Sequence, residues 1–276
     1  MKIRWHVMAG SLLIAGVMQA QATVMWDGGG AANTALSNPT NWAGDTLPVN
    51  DPDKIGIIGG SYTAARTYIT DFTGYHLILE SNAVLTNRVG GSGTAVSTMY
   101  LTNFTLTVRD NARFTVPDRT DSLNLNQAAT VNVSNNAVLE LGILRLSGET
   151  AGSVGNFYQY GGTVSANKLD INRAGTGIYH LYGGTLTVTN ATKSSNNLTG
   201  SNYIDFATDS KGVFQWTGNQ TNNMVGLITN GLIRFENRTL SPTNFLITYN
   251  STNNLSSVQL SPELFKRVKL FIITGN

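Results

Sequence analysis

The sequence predicts an all-β fold: a single-stranded parallel β-helix, with a turn-rich N-terminal cap and a short helix-and-strand closure at the C-terminal end. Three observations carry this reading. Short runs such as "HLILE" (76–80), "FTLTV" (104–108), "TVNVS" (130–134) and "TLTVT" (185–189) alternate apolar and polar residues. That alternation is the period of a strand with one buried face. Between the runs lie Gly, Asn, Thr and Ser; glycine alone numbers 29 of 276 residues, and charged residues make up only 12%. An average soluble domain carries about 25% charged residues, so the composition points to tight turns and extended stacking. The third observation is repetition, because "YQYGGTVS" at Tyr158 returns as "HLYGGTLTV" at His180.

In chain order, residues 1–22 read as a signal peptide. Lys2 and Arg4 give the positive start, "VMAGSLLIAGVM" the apolar stretch, and Ala20-Gln21-Ala22 a small-x-small cleavage site. The mature chain would begin at Thr23. Residues 23–65 form the turn-rich cap and first coil, 66–240 the β-helix repeats, and 241–276 the closing segment.

Two repeat families fill the middle. The first is a turn leading into a strand: "SNAVLTN" at Ser81, "DNARFTV" at Asp110 and "NNAVLEL" at Asn135. Asn82, Asn111 and Asn136 are expected at sharp corners, since Asn tolerates a left-handed backbone. The second aligns "GNFYQYGG" at Gly155, "GIYHLYGG" at Gly177 and "GVFQWTGN" at Gly212. It places Phe157, Tyr179 and Phe214 at one shared position, with an insertion near Asn190 in the last coil. Repeats of this length, all strand and turn, suit one coil of a β-helix, each coil lying about 4.8 Å above the last. Eight to ten coils are expected, with Phe157 and Tyr179 as neighbours. No stretch before Ser261 shows a helical period, which argues against βαβ units. "SPELFKRV" at Ser261 reads as a helix start with Ser as N-cap, and "KLFII" at Lys269 as a strand.

Charge narrows the function. The full chain has 18 basic and 16 acidic residues. Losing Lys2 and Arg4 with the signal leaves the mature chain neutral, without a basic patch for phosphates, so nucleic acid is not an expected partner. No later segment is apolar and long enough to cross a membrane. There is no cysteine, so an exported chain would rest on its core without disulfides.

Several of these motifs together resemble a family. "WDGGG" at Trp26, then Asn41-Trp42, Pro48 and "DKIGII" at Asp53, resemble the opening of autotransporter-like β-helix repeat proteins exported by Gram-negative bacteria, the autotransporter-associated β-strand repeat type. The Tyr-x-Gly-Gly-Thr and Asn-x-Ala-x-Leu phrases resemble its repeats, and "LSSVQLSPELFKRVKLF" its closing segment. The resemblance implies a β-helix and export. It does not extend to that family's membrane barrel, nor to a terminal Pro-Glu-Pro sorting anchor. The expected address is therefore the exported space: extracellular, cell surface or periplasm.

Chemistry-bearing residues are few. The three histidines, His6, His76 and His180, are far apart and no cysteine joins them, so zinc is not expected. His180 reads as a surface or edge residue stacked in line with Tyr158. Asp51 and Asp53 lack the third carboxylate of a calcium loop and read as a solvated turn. No Gly-x-Ser-x-Gly nucleophile is present, and Gly28-Gly29-Gly30 lacks the residues that complete a phosphate loop. Carboxylate chemistry needs less. Its candidates are Asp118, Arg119 and Asp121 in "VPDRTD", and Asp170 with Arg173 in "LDINR"; acid–base pairs of this kind are more often solvated salt bridges. Trp26 and Trp42 could stack on a sugar or seal the first coil, and Trp216 reads as packing.

No catalytic, cofactor-binding or metal residue is assigned, and no cofactor is expected. The expected function is a non-enzymatic cell-envelope or extracellular scaffold, adhesin-like, with cell-surface or extracellular polysaccharide as the partner class. The alternatives are a polysaccharide-active lyase or glycosidase, and a carbohydrate-binding module on the same fold.

Overall fold

Parallel pairing dominates the molecule. The computed structural model describes residues 21–29, 36, 38–48, 54–59, 63–67, 71–73, 76–87, 98–116, 118–148, 151–171, 174–192 and 202–264. Residues 1–20, Asp51, Asp53, Arg173 and "KLFII", and with them most of the expected signal peptide, lie outside them.

The chain opens on β1 (Ala22–Met25) and then makes three coils of three strands each. These are β2 (Lys54–Ile58), β3 (Thr63–Thr67) and β4 (Asp71–Thr73); β5 (His76–Leu79), β6 (Val84–Asn87) and β7 (Thr98–Thr102); and β8 (Thr105–Val108), β9 (Arg113–Thr115) and β10 (Ser122–Asn126). Coils of two strands follow: β11 (Ala129–Val133) with β12 (Val138–Arg145), β13 (Val154–Gln159) with β14 (Thr163–Asp170), β15 (Thr176–Leu181) with β16 (Thr185–Thr192), and β17 (Asn202–Phe206) with β18 (Val213–Thr217). A helix, α1 (Thr221–Thr229), and β19 (Ile233–Phe235) come next, then β20 (Phe245–Asn250) and β21 (Leu255–Leu260).

The result is a β-solenoid of about six turns, fewer than the eight to ten expected. Among the described residues before Lys54 only β1 is a strand, and the last strands fold back instead of climbing. One wall is a nine-stranded sheet, β1-β2-β5-β8-β11-β13-β15-β17-β19. A 12-stranded sheet covers two further walls. The first half of β12 pairs with β9 and its second half with β10, so two short strands of the early coils become one long strand that crosses the bend.

The two repeat families are one corner spelled in two ways. In register, Val84 lies beside Arg113, Arg113 beside Val138, Val138 beside Thr163, and Thr163 beside Thr185. Ala83, Ala112 and Ala137, all fully buried, therefore give way to Gly162 and Gly184. The amides of Arg113, Val138, Thr163 and Thr185 donate in turn to the carbonyls of Ala83, Ala112, Ala137 and Gly162 at 2.8–3.0 Å. The left-handed residues are Ser81, Asn82, Asp110, Asn111 and Asn135 in the early corners, and Gly162 (φ 69°) and Gly184 (φ 74°) in the later ones. In the third corner the left-handed position is thus Asn135, not Asn136. A Cβ at Gly162 would come within 2.3 Å of the Ala137 carbonyl oxygen, so the later corner demands glycine.

The core follows the period-two pattern. Leu77, Leu106, Val131, Phe157, Tyr179 and Ile204 form one inward column of the first wall. Phe157 and Tyr179 are adjacent as expected, stacked 4.4 Å apart at 9°. The third aligned phrase is different: Phe214 pairs with Leu186 in the 12-stranded sheet, and the residue above Tyr179 is Ile204. Every wall of the solenoid begins at a corner and then alternates, so phrases from two walls look alike.

The two ends are closed differently. Trp26 and Trp42 meet edge to face at 5.2 Å and are 4% and 0% exposed, with the Trp42 indole N–H donating to the Leu36 carbonyl at 2.8 Å. Gly56, at the start of the inward column, leaves room for the Trp42 ring, which a Cβ there would meet at 3.0 Å. These rings seal the first coil and offer no face to a sugar. At the other end β21 pairs antiparallel with β18, and β20 with β21. The helix α1 corrects the reading that no helix precedes Ser261. Its buried Met224, Leu227 and Ile228 keep helical spacing, a signal masked by the Asn and Thr around it. The turn at 262–264 starts as the sequence indicates, with the Ser261 hydroxyl accepting from the Glu263 amide at 3.4 Å.

Candidate functional site

The acidic candidates gather at the bend between the second and third walls. From Thr115 to Ser122 the chain takes seven steps; the residues stacked on them in the next coil, Glu140 and Ile143, are three apart. The extra residues bulge outward as the turn holding Asp118, Arg119 and Asp121. Gly142 makes the fit possible, because a Cβ there would lie 2.1 Å from the Asp118 carbonyl oxygen and 2.4 Å from that of Asp121. The Asn167 amide steadies the turn by donating to the Arg119 carbonyl at 3.3 Å. Beside the bulge runs an open groove of about 530 Å³, lined by Asp118, Arg119 and Glu140 and by the hydroxyls of Ser165 and Thr187.

The groove's two carboxylates are committed to local structure. The exposed Asp118 carboxylate accepts from the Thr120 amide (2.9 Å) and hydroxyl (2.7 Å). These bonds, the amide first, hold its carboxyl below the usual aspartate value, because they favour the ionised form. Glu140 accepts from Arg113 and from the Thr115 hydroxyl, each at 3.3 Å. Asp121 is buried at the head of the third wall, 4% exposed. Asp170 does not join them. It is 7% exposed and faces Arg145, whose Nε lies 3.8 Å from its carboxylate and whose Nη1 donates to Ser122 at 2.9 Å. Arg145 is the residue beside Asp170 in the stack; the Asp170–Arg173 pairing expected from the sequence lies outside the described residues.

A second surface was only partly legible. Side chains of the first wall point outward at every other position, and in β13 and β15 these include Tyr158 and His180. Their rings stack at 4.5 Å and 4°, as the sequence suggested for His180. Two residues on, Tyr160 and Tyr182 stack at 5.0 Å and 3°. Tyr158 and Tyr160 are 6.3 Å apart and within 10° of parallel. Stacking runs from coil to coil, whereas this separation runs along the strand, so the two rings lie side by side. Burial, together with Tyr160, Tyr158 and Asp205, raises the Tyr182 phenol above its ordinary value, so the hydroxyl stays protonated. Above the rings, Asp205 lies 3.8 Å from His180 Nδ1, and the Arg234 guanidinium covers the Tyr203 ring at 3.9 Å.

Beneath this surface is a polar knot inside the core. Gln159 points inward and is fully buried. Its amide donates to the carbonyls of Gly162 (3.2 Å) and Thr185 (3.1 Å), and its oxygen accepts from the Tyr179 hydroxyl at 2.6 Å. Burial pushes the Tyr179 phenol well up, so it remains a donor. The signal for this knot was a Gln at an apolar position of the repeat, just before the glycine corner.

Among the described residues, no group of three or more His, Cys, Asp or Glu side chains could hold a metal ion, and no helix is long and apolar enough to cross a membrane. No protein-family model matches the chain, and no curated protein or solved structure shows significant similarity to it. The fold is that of a β-helix repeat protein.

Proposed function

We propose that this protein is a non-enzymatic, exported scaffold of the cell envelope or extracellular space, adhesin-like, in the manner of the autotransporter-like repeats its motifs resemble. The observation that carries this is the state of the groove at Asp118. A glycosidase needs a proton donor there, and such acids have raised pKa values. Asp118 is instead held ionised by Thr120, and Glu140 is tied to Arg113 and Thr115. Export rests on Lys2, Arg4, the apolar run and Ala20-Gln21-Ala22. Cleavage after Ala22 leaves Thr23–Met25 to begin the first wall.

The test is incubation of the purified mature chain with a panel of neutral and acidic polysaccharides, scored for new reducing or unsaturated ends. No cleavage is the expected result, and reproducible cleavage overturns the scaffold reading. N-terminal sequencing of the exported protein checks the address. A start at Thr23 supports export, whereas an intact Met1 on a soluble cytoplasmic product refutes it.

A further inference from the structure

We propose that the outer face of the first wall, around Tyr158, Tyr160, His180 and Tyr182, binds an uncharged glycan strand by ring stacking. This deepens the adhesin reading by naming the surface and the class of ligand.

Ring geometry comes first. Tyr158 has one face against His180, and Tyr160 has one face against Tyr182. In the coil below, Tyr158 stands over Asn132, and the Tyr160 amide bonds the Val133 carbonyl, which sets Tyr160 over Ser134. Asn and Ser are far shorter than Tyr. The rings therefore project past them and show their lower faces side by side, as a two-ring shelf. Gly161 follows Tyr160 and Gly183 follows Tyr182, so no side chain walls off the outer edge. Tyr160 is 55% exposed, unusually open for so large an apolar body. A pyranose offers an apolar C–H face that stacks on such rings, as amphipathic aromatic side chains allow.

Charge selects the ligand. The outward positions of β8, β11, β13 and β15 are Thr105 and Thr107, Thr130 and Asn132, Val154, Asn156 and Tyr158, and Thr176, Ile178 and His180. None is Asp, Glu, Lys or Arg; the same columns reach charge at Asp205, above His180, and at Arg109, below Ser134. Below the shelf, His76 bonds the Thr107 hydroxyl at 3.0 Å, and the Asn132 amide reaches it at 3.4 Å. Arg109, the nearest cation on that side, is paired with Glu80. An uncharged face of amides and hydroxyls beside ring faces complements a neutral polyhydroxylated chain. Its charges lie at the margins, Arg109 paired with Glu80 below and Asp205 beside His180 above, so the ring faces between them suit a neutral chain.

Affinity electrophoresis of the whole mature chain tests this, through gels carrying hydroxyethylcellulose, xyloglucan or galactomannan as neutral polymers and alginate or polygalacturonate as acidic ones. At least one neutral polymer should retard the wild type. Tyr160→Ala should weaken that retardation about three- to ten-fold. Tyr160→Phe, which keeps the ring, should stay near wild type, and so should Tyr249→Ala at an exposed tyrosine elsewhere. Thermal melts confirm that each variant is folded. Four results overturn the proposal: no retardation by any neutral polymer, stronger retardation by the acidic ones, equal loss in Tyr249→Ala, or a dimer in sedimentation that Tyr160→Ala dissociates. The last result would assign the face to a second copy of the chain. Cleavage products in the same gels would count against the scaffold reading alone; absent retardation without cleavage counts against this inference alone.

Discussion

Phe157 and Tyr158 are neighbours in the chain and belong to different ladders. Phe157 and Tyr179 stack inside the solenoid, both fully buried; Tyr158 and His180 stack outside, with Tyr160 and Tyr182 beside them. The two ladders share strands, spacing and corners. They differ in what surrounds them: the inner one is enclosed on every side and hydrogen-bonded to Gln159, and the outer one borders water. A strand's two-residue period lets one segment carry both, so the inner ladder answers to folding and the outer one is free to answer to a ligand.

The largest way to break this contrast is Phe157→Ala, which opens a cavity between Val131 and Tyr179. A loss of about 3–5 kcal/mol is expected, read from urea unfolding midpoints. Gln159→Leu keeps the volume but strands the Tyr179 hydroxyl in the core. That should cost about 1–3 kcal/mol, and Tyr179→Phe in the same background should recover part of it. Gly162→Ala strikes the corner both ladders share, where φ is 69°. Left-handed alanine costs about 1–2 kcal/mol, and the contact with the Ala137 carbonyl adds to it; the same experiment reads the shift. The smallest effect is one of pH. Burial, then Arg109, lowers the His76 pKa from 6.5, so the unfolded chain takes up the proton first. Stability should be level above pH 6.5 and fall as pH drops through 6.5 towards the folded value. His76→Gln should flatten that fall.

Much of this was legible in the sequence because a solenoid repeats its local physics. The alternation of Thr and Val gave the walls, and "SNA", "DNA" and "NNA" gave the corners. What escaped notice was where one wall ends and the next begins. "GVFQWTGN" has the Gly, the ring and the alternation of "GIYHLYGG", yet it lies on another wall, since both walls follow the same rule. The equivalence of Asn-Ala and Gly-Gly corners was hidden too, because two chemistries reach the same left-handed backbone. At the groove, adjacency in sequence places Asp118 and Arg119 on the lining, whereas Asp121 is buried at the head of the third wall. Glu140 was missed because only the stacking register brings it beside Thr115 and Arg113, and Arg145 was missed as a neighbour of Asp170 for the same reason. The ring shelf was half visible: His180 was read as stacked in line with Tyr158, and only the alternation separates the inward Phe157 and Tyr179 from the outward Tyr158, Tyr160 and Tyr182.

The contrast between the ladders is tested most directly by urea unfolding of Tyr179→Ala beside Tyr160→Ala, the same truncation made once inside and once outside. Tyr179 is fully buried and Tyr160 is 55% exposed. Tyr179→Ala should lower stability by about 3–5 kcal/mol, and Tyr160→Ala by no more than about 1 kcal/mol, the worth of one lost ring contact. Equal losses would contradict the account, because the outer rings would then be part of what holds the coils together.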